Sequence, residues 1–331
     1  MMILPEKFHF LDVKPTNPLV LSIKNKIFQR KLDGTAAEAF IGYDNLGDVR
    51  IFGRGVLQYG VTSEYSKRFP EIVQPLKAMK ELGLKNTDIV GELIVIDPNT
   101  GFENLQLVQS RTQRDNNIER YSRIYPALLI ILDVVEIEGK DVRKLKYLDR
   151  MNALKDVLIK KGWQSENKSG NIRFIENFYE LNWSYIEKNK LEGVVVRDAD
   201  TVYNKSIWKI KLVYTEDVYC KGEYNPSDSM TGGDGGGKKL FASLICYQLD
   251  NARKEIYVAD VGGGFTEEEK KDIQKMLDEG KINKDNPLVL EITTFGMANS
   301  SIKFKSPIFK RIRFDKPWSQ CIINYDNVRR K

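Results

Sequence analysis

Lys31-Leu32-Asp33-Gly34 opens a series of short motifs whose order, more than any one of them, decides how this chain reads. It follows the apolar run 19–23 and ends in an Asp-Gly turn signal. Downstream come Glu92 within Gly91-Glu92-Leu93-Ile94-Val95-Ile96, then Leu191-Glu192-Gly193-Val194-Val195-Val196-Arg197. Trp208-Lys209-Ile210-Lys211 and Arg311-Ile312-Arg313-Phe314-Asp315-Lys316 complete the series. A Lys beside an Asp-Gly turn, taken alone, reads as a surface residue. Five motifs in this order suggest one pocket.

Free lysine, with a pKa of about 10.4, is a poor nucleophile at neutral pH. If the motifs share a pocket, Arg197, Lys209 and Lys211 converge on Lys31, and like charges disfavour its ammonium form. Glu92 and Glu192 stand in otherwise apolar strands, an expensive placement unless each finds a partner. A Mg²⁺ ion with substrate phosphates, or a ribose hydroxyl, would serve; so would an internal salt bridge, for instance Glu192 with Arg197. Lys209 and Lys211 alternate with Trp208 and Ile210, so both ammonium groups face one side of a strand. A nucleotide phosphate suits such a pair, and a solvated outer face is the plainer alternative. Arg311, Arg313 and Lys316 close a basic stretch, 303–316, interrupted by a single acid, Asp315. Such a run is a solvent-facing or a DNA-tracking surface.

Composition narrows the chemistry further. The chain has 331 residues, 41% hydrophobic and 30% charged, which suits an ordinary soluble protein of two domains. Its one histidine, His9, leaves little for His-based catalysis or metal binding. Three widely spaced cysteines suggest neither a zinc site nor a disulfide framework, and a reducing compartment fits. Residues 1–10 lack the pattern of a signal peptide, and the longest apolar run, 127–132, is too short to span a bilayer, so a cytoplasmic protein without a membrane partner is expected. The net charge of +6 permits a polyanionic partner.

Strand patterns dominate the first two thirds. Residues 89–96, 127–137 and 193–197 are mostly β-branched or aliphatic, as in strands buried on both faces. A helix is predicted over 147–161, with Leu148, Met151, Leu154 and Leu158 on one side and a stop at Gly162. A second, over 70–82, sets Ile72, Leu76 and Met79 on one face, with Pro75 expected to shorten or kink it. Near residue 212 the style changes. Short strands at 240–249, 255–261, 287–295 and 308–314 surround one helix that opens on the capping box of Thr266 and Glu269 and ends at Gly280. That pattern suggests a small Greek-key barrel of the OB type, with residues 228–237 (DSMTGGDGGG) as a flexible loop.

The ordered motifs resemble those of the covalent nucleotidyltransferases, specifically the ATP-dependent DNA ligases, over about residues 20–318. The paired stretches Gly262-Gly263-Gly264-Phe265-Thr266-Glu267-Glu268 and Lys305-Ser306-Pro307-Ile308-Phe309-Lys310-Arg311-Ile312-Arg313 look like signatures of the ligase OB domain. The resemblance implies an α+β chain: an adenylation domain of antiparallel sheets with flanking helices over 1–212, then an OB-fold barrel over 213–331. It implies ATP and Mg²⁺ (or Mn²⁺) as cofactors, nicked double-stranded DNA as partner, a monomer, and the size of minimal phage, viral or prokaryotic ligases. Lys31 matches the lysine that attacks the α-phosphate of ATP, within a motif that includes Asp33 and Gly34. Arg54, in Gly53-Arg54-Gly55, resembles an arginine that contacts the sugar or the nick phosphate. Glu92 and Glu192 resemble the ribose- and metal-binding acids, and Arg197 belongs to the same nucleotide-binding motif as Glu192. Lys209 and Lys211 resemble the α-phosphate contacts, and Arg311, Asp315 and Lys316 the motif that orients the leaving pyrophosphate. Phe69-Pro70-Glu71-Ile72 and Arg143…Asp149-Arg150 look like lesser signposts.

Three departures from the family pattern stand out. Ala36 occupies the place of a frequent phosphate-binding Arg, and Leu132 that of the aromatic that usually stacks on adenine. Little precedes Lys31, so the additional DNA-binding domain of larger ligases is expected to be absent. The loop 228–237 is then the candidate for a DNA-encircling latch. Within the same superfamily, an mRNA-capping guanylyltransferase or an RNA ligase are alternatives. From another class, a non-catalytic OB-type nucleic-acid binder is a third.

Overall fold

The computed structural model describes residues 11–12, 22–56, 62–99, 101–163, 170–181, 185–186, 191–211, 213–227, 240–297 and 302–323. Two compact units divide the chain, Met1–Lys211 and Leu212–Lys331. The expected loop 228–237 and most of the apolar run 19–23 lie outside the described residues.

The N-terminal unit has eleven described strands: β1 (Leu11–Asp12), β2 (Lys26–Arg30), β3 (Thr35–Ile41), β4 (Arg50–Val56), β5 (Thr62–Glu64), β6 (Thr87–Val95), β7 (Ala127–Ile137), β8 (Lys140–Asp141), β9 (Ile172–Phe174), β10 (Gly193–Asp198) and β11 (Ile207–Lys211). Its helices are α1 (Pro70–Glu81), α2 (Leu105–Thr112), α3 (Ile118–Ile124) and α4 (Tyr147–Lys160). A large sheet runs β5-β4-β3-β6-β7-β8 with β9 parallel beside β7, and a small one runs β1-β11-β10-β2. Apart from the short β1 and β9, the pairings are antiparallel.

One face of the large sheet packs on the helices. Phe69, Ile72, Leu76 and Met79 from α1 and Met151, Leu154 and Leu158 from α4 join Ile51, Leu93, Leu129 and Ile131 in one core. On the opposite face Ile94 and Ile130 pack with Leu32 and Ile175. Burial on both faces explains why β6 and β7 read as largely apolar runs without strict alternation. Pro75 does not end α1, which continues to Glu81. Its missing N–H costs one helical bond, while Ile72, Val73, Leu76 and Met79 stay buried on both sides of it.

In the C-terminal unit, β12 (Tyr214–Pro226), β13 (Phe241–Leu249), β14 (Glu255–Val261), α5 (Glu267–Asp278), β15 (Leu288–Thr294) and β16 (Ile308–Ile312) follow one another. The antiparallel sheet order is β14-β13-β12-β15-β16. Phe309 N–H donates to the Gly263 carbonyl at 2.9 Å and Phe304 N–H to that of Val258 at 2.8 Å, curling the last strand back toward β14. The long central strand β12 escapes sequence reading because Glu216, Asp217, Lys221 and Glu223 interrupt its apolar pattern. Its register shifts between Cys220 and Tyr224, where Gly222 has φ +99° and a Cβ would lie 2.7 Å from the Ile282 carbonyl oxygen. The capping box of α5 is present. Thr266 Oγ1 accepts the Glu269 N–H at 3.2 Å, and the Glu269 carboxylate accepts the Thr266 N–H at 2.7 Å. The three cysteines, distant in sequence, are all buried in this unit as free thiols, Cys220 opposite Cys246 on neighbouring strands. Among the described residues no helix is long and apolar enough to cross a membrane.

Candidate active site

The segment Lys31–Gly34 crosses from the end of β2, in the small sheet, to the start of β3, in the large one. Each residue of it is tethered. Lys31 N–H donates to the Gly193 carbonyl at 2.9 Å. Leu32 is buried in the cluster with Ile94 and Ile130. Asp33 N–H donates to the Glu103 carboxylate at 2.8 Å, and Gly34 N–H to Glu92 at 3.1 Å. Glycine is required at position 34 because a Cβ would lie 2.4 Å from the Leu93 carbonyl oxygen. The lysine is therefore no surface residue: its side chain is 19% exposed and its Nζ lies 2.5 Å from Glu192 Oε2.

A cleft of about 220 Å³ lies between the two sheets. Lys31, Val195, Arg197 and Lys209 line it from the small sheet, and Ala36, Glu92 and Leu132 from the large one. Strand register accounts for the small-sheet wall. Lys209 lies opposite Val195, which lies opposite Gln29; one row along, Lys211 lies opposite Gly193, whose carbonyl holds Lys31. Lys31 and Lys211 thus share a face two strand spacings apart, roughly 10 Å. Trp208 and Ile210, on the other face of β11, are buried. Leu132 is half-buried on the cleft wall, and Ala36 leaves room where a long side chain would project.

Arg197 reaches into a buried network instead of standing as a bare cation. Its Nη1 lies 2.7 Å from Asp133 Oδ2, and its guanidinium lies 4.2 Å from the centre of the Tyr147 ring. Arg150 grips the same carboxylate twice, at 2.6 and 2.8 Å. Asp133 is fully buried, so one aspartate on β7 joins β10 and α4 beneath the cleft. Tyr147 also accepts a hydrogen bond from Gln29 Nε2 at 2.7 Å, and burial pushes its phenol pKa up. Sequence motifs give Arg150 only a minor place and do not mark Asp133 as a node. A signal does exist: a carboxylate in Ile131-Leu132-Asp133-Val134 is as costly as Glu92. Glu103 and Gln29 carry no comparable signal.

The remaining expected residues lie elsewhere. Arg54 belongs to β4, and its side chain lies outside the described residues. Arg311, Asp315 and Lys316 belong to the C-terminal unit and are bound within it. Arg311 holds Glu291 at 2.8 Å, and Lys316 holds Asp217 at 2.6 Å. Arg313 reaches Asp315, Asp217 and Glu291 at 2.8, 3.1 and 3.3 Å. The hydrogen bond from Arg313 draws the Asp315 carboxyl pKa down to about 2.

Residues 14–211 match the model of the ATP dependent DNA ligase domain. The "DNA ligase 2" of Korarchaeum cryptofilum is 24% identical over 249 residues, which are 70% of this chain and 41% of that protein. The DNA ligase of Thermococcus fumicolans is 26% identical over 330 residues, 92% of this chain and 56% of its own. The chain spans about two fifths of the length of several such relatives. In fold, it resembles a solved structure of Lig E DNA ligases, described as binding DNA with a minimal scaffold. There the TM-score is 0.55 at 14% identity, covering 92% of this chain and 99% of that one. With well over half of its length matched by that domain, the chain belongs to the ATP-dependent DNA ligase family.

Proposed function

We propose that this chain seals nicks in duplex DNA, using ATP and a covalent lysine–AMP intermediate. The observation that carries the reading is Lys31 itself, tethered through every residue of its loop and aimed along a cleft lined by Lys209, Arg197 and Glu92. In the first step Lys31 Nζ, having lost a proton, bonds to the α-phosphorus of ATP. The bond from that phosphorus to the oxygen bridging to the β-phosphate breaks, and pyrophosphate leaves. AMP then passes to the 5′-phosphate of a nick, and the 3′-hydroxyl displaces it to close the strand.

Lys209 and Lys211 face the α-phosphate. Leu132 and its aliphatic neighbours hold the base where an aromatic ring would otherwise stack. Mg²⁺, or Mn²⁺ in its place, fits this donor set, since it takes one or two carboxylates together with substrate phosphates. Glu192, beside the nucleophile, and Glu92, on the cleft wall, would hold it, and the ion would neutralise charge on the departing pyrophosphate. Residues 1–212 form the adenylation domain. Residues 213–331 form an OB-type barrel whose Arg311, Asp315 and Lys316 orient the pyrophosphate when the domains close and whose basic face holds DNA.

A denaturing gel after incubation with ATP or GTP labelled at the α-phosphate tests the reading. A label transferred from ATP supports it. A label taken from GTP instead points to a capping-type guanylyltransferase, and no label from either overturns the covalent mechanism.

A further inference from the structure

We infer that Glu103 is a positioning residue for the nucleophile, acting on the two chain segments that flank Lys31. The inference rests on the ligase reading above. One oxygen of its carboxylate accepts the Asp33 N–H at 2.8 Å, and the other lies 2.9 Å from Arg30 Nη1. Arg30 is the residue before Lys31 and Asp33 the second after it. One carboxylate therefore fixes both sides of the reactive lysine, while Gly193 holds the Lys31 backbone from the opposite strand.

The support is itself built rigidly. The chain turns after β6, with Asp97 N–H donating to the Phe102 carbonyl at 2.9 Å and Asn104 N–H to that of Val95 at 2.9 Å. Ile96 and Glu103 form a bridge within that turn. Asn104 then caps α2 by accepting the N–H groups of Gln106 and Leu107 at 3.1 and 3.2 Å. Glu103 is thus pinned by a strand on one side and a capped helix on the other. Its side chain is 9% exposed and does not line the cleft, so it reaches the chemistry through the loop and not through substrate.

Charge and shape both call for glutamate. Asp33 is buried, so its N–H needs an acceptor inside the protein. A carboxylate can accept that N–H and neutralise Arg30 together. An amide keeps the first function and loses the second. Lys31 must present its nitrogen in line with the bond to the departing pyrophosphate, and a displacement of about 1 Å is enough to cost about 100-fold in rate.

Single-turnover self-adenylation with labelled ATP tests this in the full chain. Glu103→Ala should slow the step at saturating ATP by about 10- to 100-fold with little change in the ATP concentration giving half the maximal rate. Glu103→Gln should recover most of the rate, because the Asp33 acceptor returns. Sealing of a pre-adenylated nick, in which Lys31 forms no bond, should fall far less. A Glu103→Ala variant as fast as wild type overturns the inference. So does one that loses self-adenylation and pre-adenylated sealing in equal measure, since that is the mark of a merely structural role. If the Ala variant does not fold, Glu103→Gln and Arg30→Met carry the test, and equal loss of both steps in them overturns the inference in the same way. A wild-type chain that takes no label refutes the ligase reading itself, whatever the variants do.

Discussion

Lys31 and Glu192 stand 161 positions apart in sequence and meet as an ion pair at 2.5 Å. Antiparallel pairing of β2 with β10 brings them together: Arg30 lies opposite Val194, so the residues just beyond these strands must meet. In the proposed reaction, a nucleophile and a metal-binding carboxylate placed this way would act in one step. Lys31→Ala should abolish covalent labelling while leaving the fold intact. Glu192→Ala should lower self-adenylation by orders of magnitude, and EDTA should do the same to the wild type. Full labelling in EDTA, or wild-type labelling of Lys31→Ala, contradicts the arrangement.

Asp133 should matter more for stability than any residue lining the cleft. It is wholly buried and compensates two buried guanidinium groups, Arg150 and Arg197. Removing one partner of a buried ion pair typically costs about 3–5 kcal/mol, because the charge left behind has lost its solvent and its partner. Urea unfolding of Asp133→Ala, followed through Trp163 and Trp208 of this unit, should show a loss of that order. A change below about 1 kcal/mol would show that the guanidinium groups find other partners.

These two pairs mark what sequence can and cannot tell. Strands β6, β7, β10 and β11 and the two long helices of the N-terminal unit follow from apolar patterning, while the other, mostly shorter or more polar strands do not. Glu92 and Glu192 are legible as charges set in apolar strands, whereas Lys31 and Lys209 read as surface residues until the order of the motifs groups them. Glu103 is not legible, because its role depends on a turn that returns the chain to Asp33, and no local pattern reports where a turn points. β12 is hidden because four charges cover its apolar positions. Pro75 leaves α1 continuous to Glu81, because core packing on both sides of it outweighs one missing hydrogen bond.

Arg311 and Lys316 should separate the two halves of the reaction. Both are engaged by Glu291 and Asp217 within the C-terminal unit, and the proposed role requires them at the pyrophosphate. Arg311→Ala or Lys316→Ala should block self-adenylation and spare sealing of a pre-adenylated nick. Equal loss of both steps in folded variants removes the separate role.

Alkaline pH should loosen the C-terminal unit. Burial pushes Cys220 up to about 11 and Cys321 to about 12, from the ordinary thiol value of 9.0, and raises Cys246 as well. Unfolded thiols ionise near 9 while the folded ones keep their protons, so above that pH the unfolded chain binds fewer protons and stability falls. Below about 9 these thiols contribute no slope. The unfolding midpoint should therefore hold from about pH 7 to 9 and drop between about 9 and 11. The same burial should leave all three thiols unreactive toward a disulfide reagent in native protein and reactive in guanidinium. Rapid native labelling of any of the three, with no alkaline loss, would be inconsistent with their burial.

DNA should be held mainly through the C-terminal unit. The stretch 143–161 has seven basic and two acidic residues, which suggests a phosphate-tracking face. Its charges are largely engaged already: Arg143 with Asp141, Lys146 with Asp200, Arg150 with Asp133 and Lys161 with Glu138. Lys303 and Lys310 are exposed, and Lys303 sits 4.2 Å above the Tyr257 ring, which leaves its ammonium at the surface. Phosphate contacts are blind to base sequence and release counterions, so affinity for nicked duplexes should vary little with sequence and fall steeply with salt. Replacing Lys303 and Lys310 with Ala should flatten the plot of log affinity against log salt by about 0.9 for each phosphate that is no longer neutralised. Gel shifts on nicked duplexes of different sequence, at rising salt, measure both slopes. An unchanged slope in the double variant would move the grip elsewhere, and strong sequence preference would mean that bases, not phosphates, hold the duplex.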